Sequence, residues 1–408
     1  MWIILRVLIG VVVLALLEYY FTRKVNRVFK TLFPDYPRKK KYIIIYSFLV
    51  VLNLYPVILI FNAVYAAITK ESVAFPENIF ADYLLLYPFW FLIILILQVS
   101  VLFVFIDLLK LIFYQLYKKH KEKLYRLQVK IFLALIVFFS VYIPARIIYD
   151  YNSVDVRSVD YKKQNLPKEL AGFKIAFISD LQADRYTDEK RLERYVDKVN
   201  DANPDLVLIA GDVITSTPEY IETAGKYIGM IKSKYGTYSC VGDHDNWAYR
   251  RDYLRSLHEV EKALIDHNVE MPDNELRYIE IDSSRIGISF ITHTYVSEIS
   301  ETTLQNIASS NKADFKIFLT HQPQQFLIDS AVKNNYDLFL AGHTHGGQIT
   351  LVFPFIHLTP TLVETKYIKG DYYFNKTLAI ICGGLGMSLA PVRYNSTPEI
   401  VLITLKNK

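Results

Sequence analysis

The stretch Ala341-Gly342-His343-Thr344-His345-Gly346-Gly347 follows an apolar run at 338–340 and places two histidines in a turn flanked by glycines. A turn at a strand end can direct two imidazoles at neighbouring cations, and glycine lets the backbone approach such a site closely. A single His-x-His pair is a weak signal, because histidine pairs are common on protein surfaces. Here it is the last of five polar blocks that each follow an apolar run, and together they suggest a two-metal hydrolase.

The four earlier blocks supply carboxylate, amide and imidazole groups. They are Ser179-Asp180-Leu181-Gln182-Ala183-Asp184, Ala210-Gly211-Asp212, Val241-Gly242-Asp243-His244-Asp245-Asn246 and Leu319-Thr320-His321-Gln322-Pro323. Any one of them is compatible with an ordinary turn, since Gly-Asp pairs are common turn chemistry. Five such blocks in order are hard to obtain by chance. Ligands of α/β sheets bind at the C-terminal ends of the strands, which is where all five blocks fall.

The N-terminal part of the chain has the composition of a membrane domain. The 408 residues are 52% hydrophobic, with 31 Tyr and 25 Phe, and residues 1–150 are mostly apolar runs. A transmembrane helix needs about 20 apolar residues. Four segments reach that length, at 2–20, 42–68, 83–106 and 129–148. The first is interpreted as a retained helix, because no small-residue cleavage site follows it. We therefore predict an all-α transmembrane bundle of about four helices over 1–150.

Charged residues predict the orientation of these helices. Residues 21–41 carry eight Lys/Arg and residues 116–130 carry six, whereas segment 69–82 carries only Lys70. Because basic loops stay in the cytoplasm, both basic segments are expected there as loops. The C-terminal domain is then extracytoplasmic, in a multi-pass protein of the cell membrane. Asp107 and Lys110 are interpreted as markers of the inner interface, with an intramembrane functional pair as the alternative.

The remaining residues alternate short apolar runs with charged stretches. Residues 151–171 are polar and are interpreted as a linker, and 172–408 as the catalytic domain. Apolar runs begin at Ile175, Leu206, Tyr238, Ile286, Phe315, Leu338, Leu378 and Ile400. An amphipathic segment at 188–200 separates the first two runs. This pattern predicts a mixed α/β domain with buried sheets.

The ordered blocks resemble the calcineurin-like metallophosphoesterase superfamily. Its pattern is Asp-x-His, Gly-Asp, Gly-Asn-His-Asp/Glu, a lone His and Gly-His-x-His, and the similarity covers roughly 172–405. The tail Gly383-Gly384-Leu385-Gly386-Met387, with Pro391-Val392-Arg393 and Pro398-Glu399-Ile400, resembles the membrane-anchored bacterial branch of the family. The resemblance implies an α/β metallophosphoesterase domain of two packed sheets flanked by helices.

The resemblance also implies roles for individual residues. One divalent metal ion would be held by Asp180, Gln182 and His345, and a second by Asp243, His321 and His343. Asp212 would bridge the two ions. Catalytic His244 would contact the substrate phosphate and assist the leaving group, and Arg393 is a weaker candidate for phosphate contact. Two cations about 3.5–4 Å apart can clamp a phosphoryl group and activate water for in-line attack.

Two positions depart from the family pattern. Gln182 stands where the family usually has His, and Asp243 stands where it usually has Asn. Together the two changes exchange nitrogen for oxygen and raise the negative charge, and oxygen-rich sites favour harder ions. We therefore expect Mn²⁺ or Fe, with Mg²⁺ or Zn²⁺ as alternatives. A water in place of the Gln182 side chain is a second interpretation of that position.

The predicted function is metal-dependent hydrolysis of a phosphodiester, pyrophosphate or phosphomonoester, for which a lipid-linked substrate is a reasonable candidate. The alternative is a non-catalytic metal-binding or phosphate-binding sensory membrane protein with a degraded site. A transporter is disfavoured because few charges lie within the spans. A net charge of +5, with basic residues in two short segments, gives no nucleic-acid signature. The two cysteines, Cys240 and Cys382, are expected to be buried free thiols.

Overall fold

The computed structural model describes residues 2–69, 78–388 and 390–408, and it describes the backbone alone at 2–8 and 67. The chain divides into two compact units. The first comprises Met1–Ile148 with Leu351–Leu358, and the second comprises Tyr149–Thr350 with Thr359–Lys408.

The first unit is helical. Its helices are α1 (Trp2–Leu32), α2 (Arg38–Thr69), α3 (Ile79–Ala81), α4 (Tyr87–Ile112), α5 (Tyr114–Lys119) and α6 (Lys121–Asn152), whose last residues belong to the second unit. A π-helical turn at Asp82–Leu86 joins α3 to α4, so that the helix is continuous. Asn78 begins α3, and its side chain accepts a hydrogen bond from the Ala81 amide at 2.9 Å. Such a cap satisfies an amide that has no partner within the helix.

Three of the described helices are long and apolar enough to cross a membrane. They span Arg38–Ala66, Ile79–Ile112 and Lys121–Asn152, and they overlap three of the four predicted spans. The fourth predicted span, 2–20, lies in α1, whose described residues do not give a further candidate span. The side chains of residues 1–8 in that span lie outside the described part of the chain. The three apolar helices indicate membrane association.

The two basic segments are not loops, which corrects the expectation from sequence. Helix α1 continues to Leu32, and helix α6 already begins at Lys121. Hydropathy marks only the apolar part of a helix, whereas Lys and Arg are good helix formers, so the helices extend past their apolar segments. Asp107 pairs with Lys24 at 2.6 Å and accepts a hydrogen bond from Tyr20 at 2.9 Å. Lys110 instead lies 4.4 Å from the centre of the Tyr117 ring.

A short antiparallel hairpin completes the first unit. Strands at Leu351–Phe353 and Ile356–Leu358 pair with each other, although the surrounding sequence belongs to the second unit. The Gln98 amide of α4 donates a hydrogen bond to the Val352 carbonyl at 2.9 Å. This contact ties a segment distant in sequence to the helices.

The second unit contains two six-stranded sheets. Its strands, in chain order, are β1 (Asp155–Lys163), β2 (Lys174–Ile178), β3 (Leu206–Ile209), β4 (Thr237–Ser239), β5 (Val269–Glu270), β6 (Glu275–Ile281), β7 (Ser284–Ile291), β8 (Phe315–Thr320), β9 (Leu338–Ala341), β12 (Gly370–Phe374), β13 (Thr377–Ile381) and β14 (Glu399–Asn407). The numbers β10 (Leu351–Phe353) and β11 (Ile356–Leu358) belong to the hairpin of the first unit. The sheet orders are β1-β14-β2-β3-β4-β5 and β12-β13-β9-β8-β7-β6. Strands β2 to β5 run parallel, as do β7, β8, β9 and β13. The apolar runs of the sequence correspond to strands at all eight positions.

Apolar side chains on both faces of the strands give three apolar layers. Side chains such as Ile175, Phe177, Ile317 and Leu319 lie in one core between the two sheets. The alternate residues of the same strands face outward, because successive side chains of a strand point to opposite faces. They pack against helices α7 (Glu189–Asp201), α8 (Ile221–Ile228) and α9 (Tyr253–Asp266) on one sheet, and α10 (Glu301–Ser310) and α11 (Gln325–Lys333) on the other. The predicted architecture of two packed sheets flanked by helices is confirmed.

Residues 155–163, within the segment interpreted as a linker, form an edge strand of the first sheet. Strand β1 pairs in parallel with β14 from Asp155–Glu399 to Lys163–Asn407. Its alternation of exposed and buried residues is typical of a strand with one face on the core. The segment therefore contributes structure to the sheet as well as connecting α6 to β2.

Candidate metal centre

The site is assembled from loops that follow strands of both sheets. Asp180, Asp212 and Asp243 follow β2, β3 and β4 of the first sheet. His321 follows β8, and His343 and His345 follow β9, all in the second sheet. The first sheet thus supplies the carboxylates and the second sheet supplies the imidazoles, so the cluster forms only when the two sheets are packed.

Two overlapping groups of side chains converge. Ligand atoms of Asp180, Asp212 and His321 lie within 4.8 Å of one another, and so do those of Asp243, His321 and His343. The Nε2 atom of His321 is 3.3 Å from carboxylate oxygens of both Asp212 and Asp243. The Nδ1 atom of His343 is 3.0 Å from an oxygen of Asp243. The geometry therefore links the predicted bridging residue Asp212 to both groups.

The two remaining predicted ligands join the same cluster. The Nε2 atom of His345 lies 3.6 Å from an oxygen of Asp180. The amide nitrogen of Gln182 donates a hydrogen bond to Asp212 at 2.9 Å. The other end of that side chain, Oε1, is buried and has no hydrogen-bond partner among the described residues. The Gln182 side chain thus directs its nitrogen at Asp212 and leaves its oxygen without a donor among the described residues.

Five of the seven predicted ligands have a left-handed backbone. The φ angles of Asp180, Gln182, Asp212, His343 and His345 are 52°, 52°, 55°, 70° and 50°. Each such residue costs of order 1–3 kcal/mol and persists only when its surroundings impose it. The Gln182 amide, for example, donates to the Asp212 carbonyl at 2.9 Å. This concentration of strain at the cluster is typical of functional loops.

Glycines permit the close approach of these loops, as the sequence predicted. A Cβ on Gly342 would lie 2.5 Å from the Cβ of Ser179 and 2.7 Å from an oxygen of Asp180. A Cβ on Gly242 would lie 2.2 Å from the Asp212 nitrogen. The Asp212 backbone and the Cβ of Ser179 cannot move away as the far end of a flexible side chain can, so both loops require glycine.

Asp245 holds the second and third loops together. Its carboxylate accepts hydrogen bonds from the amides of Asp212, Val213 and Gly242 at 3.0, 2.9 and 2.8 Å. Asp184 serves a similar purpose in the first loop, where it accepts from the amides of Tyr186 and Thr187. Both residues therefore position the candidate ligands rather than facing them.

The electrostatics of the cluster follow from burial and mutual contact. Burial, reinforced by the Asp212 carboxylate, raises the pKa of Asp180 to about 6. Burial would also raise the pKa of Asp243, but hydrogen bonds with His321 and His343 outweigh it and hold that pKa far below its usual range. Burial would lower the pKa of His343, yet Asp243 and Glu364 raise it to about 9. In the protein alone, histidinium charge therefore offsets the buried carboxylates.

The donor set fits divalent cations. Nδ1 of His321 lies 2.7 Å from the Ala210 carbonyl, which can only accept, so Nδ1 carries a proton. Burial would lower the pKa of His321, but the Asp212 and Asp243 carboxylates raise it well above its usual range, so in the protein alone Nε2 is also protonated and donates to them. Burial and the Arg393 guanidinium hold the pKa of His345 well below its usual range, so this imidazole is neutral. Three buried carboxylates, imidazole nitrogens that can exchange a proton for a cation and the orphaned Gln182 oxygen form the mixed oxygen and nitrogen set that such cations prefer.

His244 lies beside the cluster and is only partly buried. Its backbone amide donates to an Asp212 oxygen at 2.7 Å, and its Nδ1 contacts the Thr215 carbonyl. A carbonyl can only accept, so Nδ1 holds the proton and Nε2 is the nitrogen available for proton exchange. Ser388 Oγ is 3.1 Å from that Nε2. The predicted catalytic histidine is thus next to the candidate ligands without belonging to either group of them.

Three residues contact the cluster without having been predicted as site residues from the sequence. The Gln322 amide donates to both oxygens of Asp243 at 2.9 Å. The Tyr295 amide donates to the same carboxylate at 2.8 Å. Nε2 of His343 lies 3.1 Å from a Glu364 carboxylate oxygen, which fixes the ring so that Nδ1 faces Asp243. Gln322 directly follows His321 in the fourth polar block, whereas Tyr295 and Glu364 reach the site from segments with no recognisable motif.

Several other residues near the cluster or in the strands have structural contacts. The Arg393 guanidinium is fully buried and donates to the carbonyls of His345, Gly383 and Gly386, so it braces the loops. Trp247 lies at the site, its ring 4.7 Å from that of His244 and 6.4 Å from that of Tyr295. Tyr249 contacts Glu259, and His293 packs against Phe326. Cys240 and Cys382 are buried and free, as expected.

Sequence comparisons place this site among known proteins. The family profile described as calcineurin-like phosphoesterase matches residues 173–347. An uncharacterized metallophosphoesterase of Campylobacter jejuni is 30% identical over 305 residues, covering 74% of this chain and 76% of that protein. The metallophosphoesterase YkuE of Bacillus subtilis is 28% identical over 253 residues, covering 60% and 83%. The profile match contains all five polar blocks.

Two further similarities are to proteins of Danio rerio. A protein named as a transmembrane protein with metallophosphoesterase domain is 26% identical over 257 residues, covering 62% of this chain and 57% of its own length. Among solved structures, a dimetal phosphatase matches 57% of this chain and 99% of its own with 12% identity and a TM-score of 0.34.

We predict that Glu364→Ala weakens metal binding by roughly 10–100-fold, because the His343 ring loses the carboxylate that orients it. The exposed Glu301 of α10 provides the control Glu301→Ala, which removes the same charge from a helix that carries no candidate ligand. Metal content is measured by elemental analysis after dialysis against a series of buffered free-metal concentrations. Equal affinities of the two variants would show that Glu364 does not position His343.

Proposed function

Because this chain belongs to the calcineurin-like metallophosphoesterase family and is a metal-dependent phosphoesterase, we propose that it uses a dinuclear centre to hydrolyse a phosphodiester, pyrophosphate or phosphomonoester. The observation that carries the proposal is the convergence of the seven predicted ligands in one buried cluster, with His244 beside it. No other chemistry accounts as simply for three adjacent carboxylates and three imidazoles.

Each residue has a proposed part in this centre. Asp180, Gln182 and His345 would hold the first cation, and their contacts around Asp180 and Asp212 support this grouping. Asp243, His321 and His343 would hold the second, in agreement with their mutual distances. Asp212 lies next to His321 and Gln182, so it is suited to bridge the two cations.

Two cations in such a site supply electrostatic stabilisation of the phosphoryl charge and activate water as the nucleophile. The residues of the chain do the rest. His244 holds its Nδ1 proton against the Thr215 carbonyl and thereby directs Nε2 outward. From that nitrogen a proton can pass to the leaving oxygen, which is general acid catalysis. Gln322 and the Tyr295 amide keep Asp243 fixed during the reaction.

We propose Mn²⁺ or iron as the resident metal. Gln182 offers an amide oxygen and Asp243 a carboxylate where the family usually has nitrogen and a neutral amide. Oxygen-rich sites favour harder cations than Zn²⁺. The unpartnered Oε1 of Gln182 supports its assignment as a ligand, because a buried acceptor without a partner is unfavourable.

A lipid-linked phosphate ester belongs among the proposed substrates. Three apolar helices associate the chain with a membrane, which keeps the enzyme near lipid-borne substrates. Membrane attachment serves equally to anchor the enzyme for soluble substrates. Hydrolysis of a lipid-linked and a soluble ester of the same phosphate group distinguishes these two cases.

We predict that the purified full-length protein hydrolyses bis-p-nitrophenyl phosphate or its monoester in the presence of Mn²⁺, and that Asp212→Asn lowers kcat/KM at least about 100-fold. The loss should exceed that of a supporting residue, because the bridging carboxylate contacts both groups. Asp201→Asn, an exposed site at the end of α7, is the matched control and should retain full activity. Folded protein that binds metal but hydrolyses neither ester would favour a binding role instead.

We predict that Gln182→His raises activity with Zn²⁺ relative to Mn²⁺, because imidazole is a softer ligand than an amide oxygen. The measurement is the ratio of kcat/KM with each metal for the wild type, Gln182→His and Gln182→Ala. If Gln182→Ala matches the wild type with both metals, Gln182 is not a ligand and water fills the position.

We further propose that the α/β domain is extracytoplasmic. The basic segment 21–41 extends into the first turn of α2, and three candidate spans follow it before β1. An odd number of crossings from a cytoplasmic segment ends outside, whether or not α1 also crosses the membrane. The second basic segment, 116–130, covers the connection after the second span and the start of the third, and it then lies in the cytoplasm, as its charge requires.

We predict that a cysteine introduced as Glu77→Cys reacts with a membrane-impermeant maleimide in intact cells, whereas Lys119→Cys reacts only after permeabilisation. The two native cysteines are buried and should give little background. Labelling is measured by mass shift on a gel. The reverse pattern would place the α/β domain in the cytoplasm and contradict the proposed orientation.

A further inference from the structure

The helical unit contains an open cleft of about 820 Å³, lined by the C-terminal part of α1, the connecting residues and the start of α2. Four basic residues contribute to its lining: Arg23, Lys30, Arg38 and Lys41. None of the lining residues is acidic, and Asp35 of the connection does not contribute to it. The volume falls within the range of about 300–1,000 Å³ that is usual for ligand pockets.

The basic residues of this cleft have no acidic partner in the described part of the chain. Within residues 2–69, 78–388 and 390–408, no Asp or Glu forms an ion pair with any of the four. Lys24, by contrast, lies on the same helix α1 and is paired with Asp107 at 2.6 Å. The chain therefore supplies a counter-charge to the neighbouring lysine outside the cleft and leaves the cleft positive.

Lys41 is the most buried of the four basic residues that line the cleft. Its side chain is only 8% exposed, yet its ammonium lies over the Tyr42 ring at 4.5 Å instead of against a carboxylate. A buried charge without a counter-ion is unfavourable, and a cation–π contact compensates only part of that cost. An anion in the cleft would complete the compensation.

The rest of the lining suits the interfacial part of a lipid. Aromatic rings of Phe29 and Tyr36 pack together with centroids 5.2 Å apart and form one wall. Tyr19 and Tyr42 add phenol rings, which favour the boundary between hydrocarbon and water. The candidate span of α2 begins at Arg38, so the cleft lies at the end of a span.

We propose that this cleft binds the phosphate headgroup of an anionic membrane lipid. The guanidinium groups of Arg23 and Arg38 can each present two parallel N–H donors to phosphate oxygens, and Lys30 and Lys41 add point charges. Basic pockets between membrane helices are suited to anionic headgroups, and the aromatic wall accommodates the glycerol and upper acyl region. The site is separate from the phosphoesterase centre and does not depend on its assignment.

The second basic segment shows that charge alone does not produce such a cleft. Residues 116–130 carry six Lys/Arg, but the neighbouring cavity of about 260 Å³ has Lys110 as its one charged lining residue. Its other lining residues are mostly aliphatic and aromatic. A general preference for basic residues at the cytoplasmic end of a span therefore does not account for the four converging cations at α1 and α2.

The run Arg38-Lys39-Lys40-Lys41 contains its own matched control. Arg38 and Lys41 line the cleft, whereas Lys39 and Lys40 are exposed and do not. The variants Arg38→Gln/Lys41→Gln and Lys39→Gln/Lys40→Gln remove equal charge from one segment. Binding of dioleoyl-phosphatidylglycerol to the full-length protein in neutral detergent is titrated by native mass spectrometry, with phosphatidylcholine and inorganic phosphate as separate arms.

We expect saturable binding of phosphatidylglycerol that weakens at least about tenfold in Arg38→Gln/Lys41→Gln and is retained in Lys39→Gln/Lys40→Gln. Equal losses in the two double variants would overturn the proposal in favour of unspecific attraction. Equally tight binding of inorganic phosphate would identify a site for free anions, and equally tight binding of phosphatidylcholine would remove the requirement for an anionic lipid. If the first double variant fails to fold, Arg23→Gln replaces it, with the same expected weakening.

Discussion

Three carboxylates buried side by side are the constraint on which the catalytic half of this protein depends. Asp180, Asp212 and Asp243 are each at most 1% exposed. Carboxylates removed from water are tolerated only with counter-charges and hydrogen bonds. These come from histidines on the opposite sheet and from backbone amides of the adjoining loops. The core between the sheets and the charge balance above their strand ends therefore require each other.

The loops reach this arrangement at a conformational cost that the surrounding structure offsets. Five candidate ligands have left-handed backbones, and buried polar side chains hold the loops that carry them. Arg393 donates to four loop carbonyls, and Asp245 accepts from three loop amides. Glu399, which begins β14, accepts from the Gly383 amide at 2.9 Å and pairs with Lys369 at 2.9 Å. Rigid support of this kind keeps ligands in place before any cation binds.

The same rule of charge compensation applies to the helical unit. Lys24 and Asp107 neutralise each other, and the Asn53 amide donates to the Glu18 carboxylate at 2.6 Å. Where the protein balances its own charges, the contacts hold helices together. In the basic cleft the balance is incomplete, and the excess positive charge points to an anionic ligand. In the carboxylate cluster the histidines supply the positive charge in the protein alone, in the place that cations would take. The proposed lipid site and the candidate metal centre thus follow from one physical principle applied with opposite signs.

The sequence by itself determined the fold class and the candidate ligand set, because both are encoded locally. Apolar runs followed by Asp, Gln and His mark strand ends, and the apolar runs predicted eight of the twelve strands of the two sheets, while the polar blocks supplied the seven candidate ligands. It did not determine that β1 lies in the segment interpreted as a linker, since an edge strand with one exposed face lacks a continuous apolar run. Nor did it give the helical form of the basic segments, because hydropathy does not register polar helix formers.

Only the tertiary structure decided how the ligands are supported and which cations converge. Glu364 and Tyr295 reach His343 from segments without a motif, and Arg393 turns inward to brace the loops. Likewise, Arg38 and Lys41 line the cleft while Lys39 and Lys40 do not, because each side chain leaves the helix in a different direction. Such contacts depend on distances between residues far apart in the chain, and the sequence specifies these distances only through the packing of the whole fold.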